Sequence, residues 1–148
     1  MLRYAIAVAL TLVAWTALAA DNPPFEKYPV DVYSGPVVKP VLDTADKREF
    51  KTRITEAAKG PVNFAGKFIL ALWGCGASCS MGATINAETG EVAFLDWTIC
   101  CDQGDGERVD FRANSTLIVL RGLLNEEGDN TTHMFEFDGT FREVTELR

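Results

Sequence analysis

The chain has 148 residues, 47% of them hydrophobic and 24% charged, and its 21 acidic against 14 basic side chains leave a net charge of −7. This balance repels phosphate backbones and sets nucleic acid aside as a partner. The length suits one domain with one modest core.

Residues 1–19 read as a secretory signal peptide. Arg3 supplies a short positive start, the segment 5–18 is apolar apart from Thr11 and Thr16, and Ala17-Leu18-Ala19 places small residues where a signal peptidase reads them. The apolar run is shorter than the roughly 20 residues of a membrane span and lacks a basic stop-transfer flank. The expectation is a periplasmic or secreted protein beginning at Ala20 or Asp21, with no membrane insertion after cleavage.

Residues 20–42 carry Pro23, Pro24, Pro29, Pro36 and Pro40, which rules out a helix and predicts an extended segment lying over the domain. Val30, Val32, Tyr33, Val37 and Val38 are its candidates for packing. Residues 43–148 are expected to form a single α+β domain. Asp43 or Thr44 caps a helix over 45–59, in which Phe50, Ile54, Ala57 and Ala58 share one face. Gly60-Pro61 stops it with a left-handed residue followed by proline.

Beyond the helix the apolar period changes to two. After Lys67 the run to Trp73 is apolar throughout and predicts a central strand buried on both faces. Segments 81–86 and 91–95 flank Ala87-Glu88-Thr89-Gly90 as a hairpin. Strands follow over 108–112 and 115–121, then a polar turn over 125–129. A second hairpin, 131–137 with 140–144, surrounds Asp138-Gly139. Consecutive strands with short connections predict a mostly antiparallel meander. The expected fold class is α+β: one N-terminal helix packed on a sheet of about seven strands, stapled by disulfides.

Cys75, Cys79, Cys100 and Cys101 are expected to be oxidised in an exported chain. Four cysteines allow three pairings. One joins Cys75 to Cys79 and Cys100 to Cys101, the latter through a distorted peptide. The other two tie the corner 74–80 to the segment 99–102, closing loops on the order of 25 residues, each worth roughly 3 kcal/mol. A cysteine nucleophile needs a thiolate and a neighbouring base, and His133 is the one histidine of the chain. The C-x-x-x-C spacing departs from the C-x-x-C of thioredoxin-like proteins. Adjacent cysteines place two sulfurs poorly on a zinc tetrahedron. No metal or other cofactor is expected.

The acidic run Asp102-Gln103-Gly104-Asp105-Gly106-Glu107 departs from the D-x-[DN]-x-[DN]-G calcium-loop spacing and reads as a solvated turn. Asp96, beside Trp97 after an apolar strand, is a candidate carboxylate for acid–base work. The chain has no G-x-S-x-G elbow and no phosphate-cradling glycine loop. Trp73 and Trp97 flank the two cysteine-bearing loops. With Asp102, Asp105 and Glu107 as a negative rim they form the candidate binding surface, which favours a basic protein partner.

Asn63-Phe64-Ala65-Gly66, an apolar strand, Gly74-Cys75-Gly76-x-x-Cys79, Asn86-x-x-Thr89-Gly90 and Phe111-Arg112-x-x-Ser115-x-Leu117-Ile118-Val119 together resemble a family of small, exported, largely uncharacterised bacterial proteins. The likeness covers residues 60–141. It implies an exported single domain. It also gives weight to a Cys75–Cys79 pair within the motif, because many members lack the second pair of cysteines. Members often carry an aromatic residue or histidine where Lys67 stands. The resemblance implies no activity. The functional expectation is an exported small binding module, with an inhibitor or immunity-type protein as its sharpest form. A small hydrolase using acidic residues near Asp96 or Asp102, with or without calcium, and a structural envelope protein are the alternatives.

Overall fold

The computed structural model describes residues 23–101 and 107–145. The expected leader, its cleavage point, Asp102 and Asp105 lie outside the described residues. Eight strands form one antiparallel sheet. β1 (Phe68–Gly76) and β2 (Cys79–Asn86) make a long hairpin, and β3 (Val92–Phe94) folds back on the C-terminal half of β2. β4 (Ile99–Cys100) pairs with the start of β2 on one side. On its other side it pairs with the end of β6 (Leu117–Leu124). β5 (Val109–Phe111) pairs with the first half of β6. β7 (Glu127–Phe137) and β8 (Phe141–Glu143) complete the order β1-β2-β4-β6-β7-β8.

Strand alternation decides where each side chain goes. On β1, Phe68 and Leu70 face one cluster while Ile69, Ala71 and Trp73 face another. On β6, Ile118 and Leu120 join the first cluster, and Leu117 and Val119 face a third. The shared cluster is the centre of the protein, because the sheet curls until its two ends meet. Phe68 of β1 packs edge to face on Phe137 of β7 at 4.8 Å between ring centroids. Bulges interrupt the register between Gly74 and Gly76 and between Gly122 and Leu124, and a bulge bends its strand and increases the local twist.

The N-terminal segment covers the outer face of β6 and β7. Phe25 and Tyr28 are buried there with Leu117 and Val119. The Ser115 hydroxyl donates to the Phe25 carbonyl at 2.9 Å, and the Thr116 amide donates to the Tyr28 carbonyl at 2.9 Å. Farther on, the amides of Tyr33, Val38 and Val41 donate to the carbonyls of Gly66, Ala87 and Gly90. The extended strap is thus laced to the sheet by backbone bonds. Its valines contribute less packing than expected: Val37 packs, but Val32 and Val38 are exposed.

The α+β expectation is overturned: the described residues form a mostly antiparallel eight-stranded sheet with a 3-10 turn at Phe25–Lys27 and one short α-helical segment. That segment is α1 (Ala45–Glu49) and α2 (Lys51–Ala57), separated at Phe50. Thr44 caps it, its hydroxyl accepting from the Lys47 amide at 3.2 Å. Phe50 leaves helical geometry to set its ring 5.3 Å from Trp73 and 5.7 Å from Phe94. Only Ile54 of the segment is fully buried. The helix ends at Ala57, and Gly60 is not left-handed. The meander is corrected too, since β4 is inserted between β2 and β6. The expected multiple staples reduce to one disulfide, Cys75–Cys79.

Asn63-Phe64-Ala65-Gly66 is a structural device. The Asn63 carboxamide accepts from the Leu70 amide at 2.7 Å and donates to the Leu70 carbonyl at 3.2 Å, so one side chain imitates a neighbouring strand at the edge of β1. Ala65 and Gly66 turn through positive φ of 43° and 78°. A Cβ at Gly66 would lie 2.7 Å from the Asp31 carbonyl, so glycine is what lets the strap cross here. We expect Asn63→Ala to cost about 1–3 kcal/mol in urea unfolding, because the buried Leu70 backbone loses both partners. Val32→Ala on the exposed strap should change stability by less than about 0.5 kcal/mol.

Candidate functional site

The sheet has two unlike poles. At the first, β1 passes to β2 through Ala77 and Ser78, and Cys75 and Cys79 are bonded across that tip. Register places Cys100 of β4 directly opposite Cys79 of β2. The Cys101 amide donates to the Ser78 carbonyl at 3.2 Å, and Asn130 Nδ2 donates to the Cys101 carbonyl at 2.8 Å. The corner and the segment after Thr98 therefore lie side by side. Asn125, at the tip between β6 and β7, braces them: its Oδ1 accepts from the Thr98 amide at 2.9 Å.

Cys100 and Cys101 carry free thiols, Cys100 buried and Cys101 exposed. The expected second bridge is absent because the first pair closes locally across its own hairpin, leaving the two adjacent cysteines with each other. The Cys101 thiol, 3.1 Å away, pushes the Cys100 thiol above its ordinary pKa, and burial and the Glu126 charge act in the same direction. The ring of His133 donates from Nε2 to the Gly122 carbonyl at 3.2 Å when that nitrogen carries the proton.

The tryptophans of the expected binding surface are packing residues on opposite faces. Trp73 is 8% exposed, against Phe50 and Phe94 on the outer face of β1 and β2. Trp97 stacks on Phe135 at 4.2 Å and meets Phe141 at 5.3 Å inside the curl. Glu107 is exposed, and its carbonyl accepts from Arg121 at 2.7 Å. Asp96 is exposed as well.

At the other pole the strap, the turn before β1 and the β7–β8 turn border a groove. Two cavities, about 470 and 240 Å³, share Lys67, Phe68, Phe137 and Asp138 as lining. The floor is buried Phe68, Phe137 and Ala65, and the exposed Val32 stands at one side. Asp31, Glu88, Glu91 and Asp138 line it with Lys67, which pairs with Glu88 at 2.9 Å, while Arg142 pairs with Asp138 from beside the groove. Sequence reading missed this groove because its walls come from the strap, the turn before β1, the β2–β3 hairpin and the β7–β8 turn. The alternation of β1 and β7 marks Phe68 and Phe137 as buried, but no local pattern says that they touch.

Asp138 stands in the turn between β7 and β8. Arg142 donates to its Oδ2 at 2.7 Å and holds the carboxyl below its ordinary value, with bonds from Thr140 acting in the same sense. The folded value is depressed, so this contact contributes above the unfolded-state value and is lost as pH falls through the folded one. A carboxyl-detected NMR titration should place the Asp138 midpoint lower in the wild type than in Arg142→Ala. Coincident midpoints would remove the ion pair from the account. Comparisons with protein-family models, with curated proteins and with solved structures find no match.

Proposed function

We propose that this chain is an exported small binding module that holds a basic segment of a partner protein in the groove between the strap and the β7–β8 turn. One observation carries the reading: an apolar floor of Phe68 and Phe137 bordered by four carboxylates, of which Glu88 pairs with Lys67 and Asp138 with Arg142. An apolar side chain of the partner would fill the floor, as buried anchors do in protein recognition. Flanking lysines or arginines would meet Asp31, Glu91 and Asp138. The net charge of −7 adds long-range attraction and faster encounter at low salt. Small size and a laced, preorganised backbone suit an inhibitor or immunity-type protein, which acts by occupying its partner. The apolar leader over residues 5–18 supports export.

Panning random decapeptides on the purified protein tests this. Enriched peptides should carry lysine or arginine beside an apolar residue, and their binding should weaken with salt. Asp31→Asn with Glu91→Gln and Asp138→Asn should weaken the best peptide by about tenfold. Those charges are exposed, so folding should be nearly unchanged. The comparison variant, Asp102→Asn with Asp105→Asn and Glu107→Gln, should stay within about twofold. Acidic or neutral winners, or a loss confined to the second variant, would overturn the assignment.

A further inference from the structure

The cysteine pole carries an arrangement that binding does not use. Directly opposed residues of an antiparallel pair project to the same face, with Cα atoms about 4.5–5.5 Å apart. A disulfide spans about 4.4–6.8 Å between Cα atoms. Cys79 and Cys100 are such a pair. They share a face with Met81 on β2 and Leu123 on β6, the residues two along and directly opposite. Cys75, bonded to Cys79, extends the row, so three sulfur-bearing positions run across β1, β2 and β4. Cys101 would point to the opposite face if the strand continued. Its φ of 64° breaks the alternation and brings its sulfur to 3.1 Å from that of Cys100. A non-glycine residue is strained in this conformation, and the Ser78 and Asn130 contacts hold it there.

The geometry points to the four cysteines as one thiol–disulfide exchange site, in which the Cys75–Cys79 bond passes to Cys100. The Cys100 thiolate attacks the Cys79 sulfur. The Cys79–Cys100 bond forms, the Cys75–Cys79 bond breaks, and Cys75 leaves as a thiolate that takes up the proton Cys100 gave to solvent. No oxidant is consumed, since one disulfide and two thiols stand on each side. The cross-link moves from within one hairpin to the junction of β2 with β4. An exposed thiol appears at Cys75, on the tip of the β1–β2 hairpin, ready for a disulfide of another molecule.

Peptide mapping without reduction tests this. Protein with two thiols per chain is incubated in mildly alkaline buffer, quenched in acid, alkylated and digested. The wild type should yield Cys79–Cys100 peptides beside Cys75–Cys79 peptides, at a share at least about fivefold above that of the protein equilibrated in urea. Cys100→Ser should yield Cys75–Cys79 alone. Cys75→Ser, treated with diamide as oxidant, should join Cys79 to Cys100. The proposal is overturned if the wild type keeps Cys75–Cys79 alone while folded Cys75→Ser, after diamide, forms no Cys79–Cys100 bond. It is also overturned if the native distribution matches the urea distribution.

Discussion

The fold depends on a strand of two residues. Ile99 and Cys100 pair with β2 along one edge and with β6 along the other. Among the described residues this is the only strand pairing that joins the β1–β3 half of the sheet to the β5–β8 half. Both residues are buried, and Ile99 sits in the central cluster with Phe64, Leu70, Ile118 and Leu120. At the other pole the two halves meet through the turn before β1, where the Ala65 and Gly66 amides donate to the Arg112 and Ala113 carbonyls at 3.3 and 2.7 Å. Aromatic rings fill the space between the halves, with Phe68 and Phe137 at the groove.

The polar contacts at the two poles divide the work. Backbone bonds fix the strap against Gly66, Ala87 and Gly90, and Gly90 must be glycine because a Cβ there would run into the Lys39 carbonyl. These contacts define one wall of the groove before any partner arrives. The ion pairs near it, Lys67–Glu88 and Asp138–Arg142, lie on exposed side chains and contribute little to stability. Charge at this pole is therefore available for recognition without endangering the fold. At the cysteine pole the Asn125 and Asn130 side chains hold neighbouring loops against one another, so the four sulfurs are positioned by three separate turns.

Local signals in the sequence were legible where the structure is local. The Asp138-Gly139 and Glu88–Gly90 hairpins, the Thr44 cap and the extended strap all follow from turn chemistry, capping and proline content. The two-faced burial of Phe68, Ile69, Leu70 and Ala71 follows from the apolar run of β1, but β1 is the edge strand of the order rather than the central strand expected, and Leu72 is exposed. The pairing of Ile99 and Cys100 with strands about twenty residues away on either side has no such signature, so a meander was the default. The helical stripe of Phe50, Ile54, Ala57 and Ala58 was legible, since all four pack on the outer cluster with Ile69, Trp73 and Ile85, but the break at Phe50, whose ring meets Trp73 and Phe94, was not. Trp97 looked like a loop anchor because its stacking partners, Phe135 and Phe141, lie some forty residues on. The groove was illegible for the same reason, being assembled from four segments that meet only after the sheet curls.

Amide hydrogen exchange at Ile99 and Cys100 tests the central claim most directly. As a strand paired on both edges, their amides should exchange as slowly as those of Ile85 in β2 and Ile118 in β6, and Ile99→Ala should speed exchange in both halves together. Exchange of Ile99 and Cys100 at the rate of loop amides, with β2 and β6 still protected, would contradict it: the two halves would then be held by the strap, by the backbone bonds of Ala65 and Gly66 to Arg112 and Ala113, and by side-chain packing.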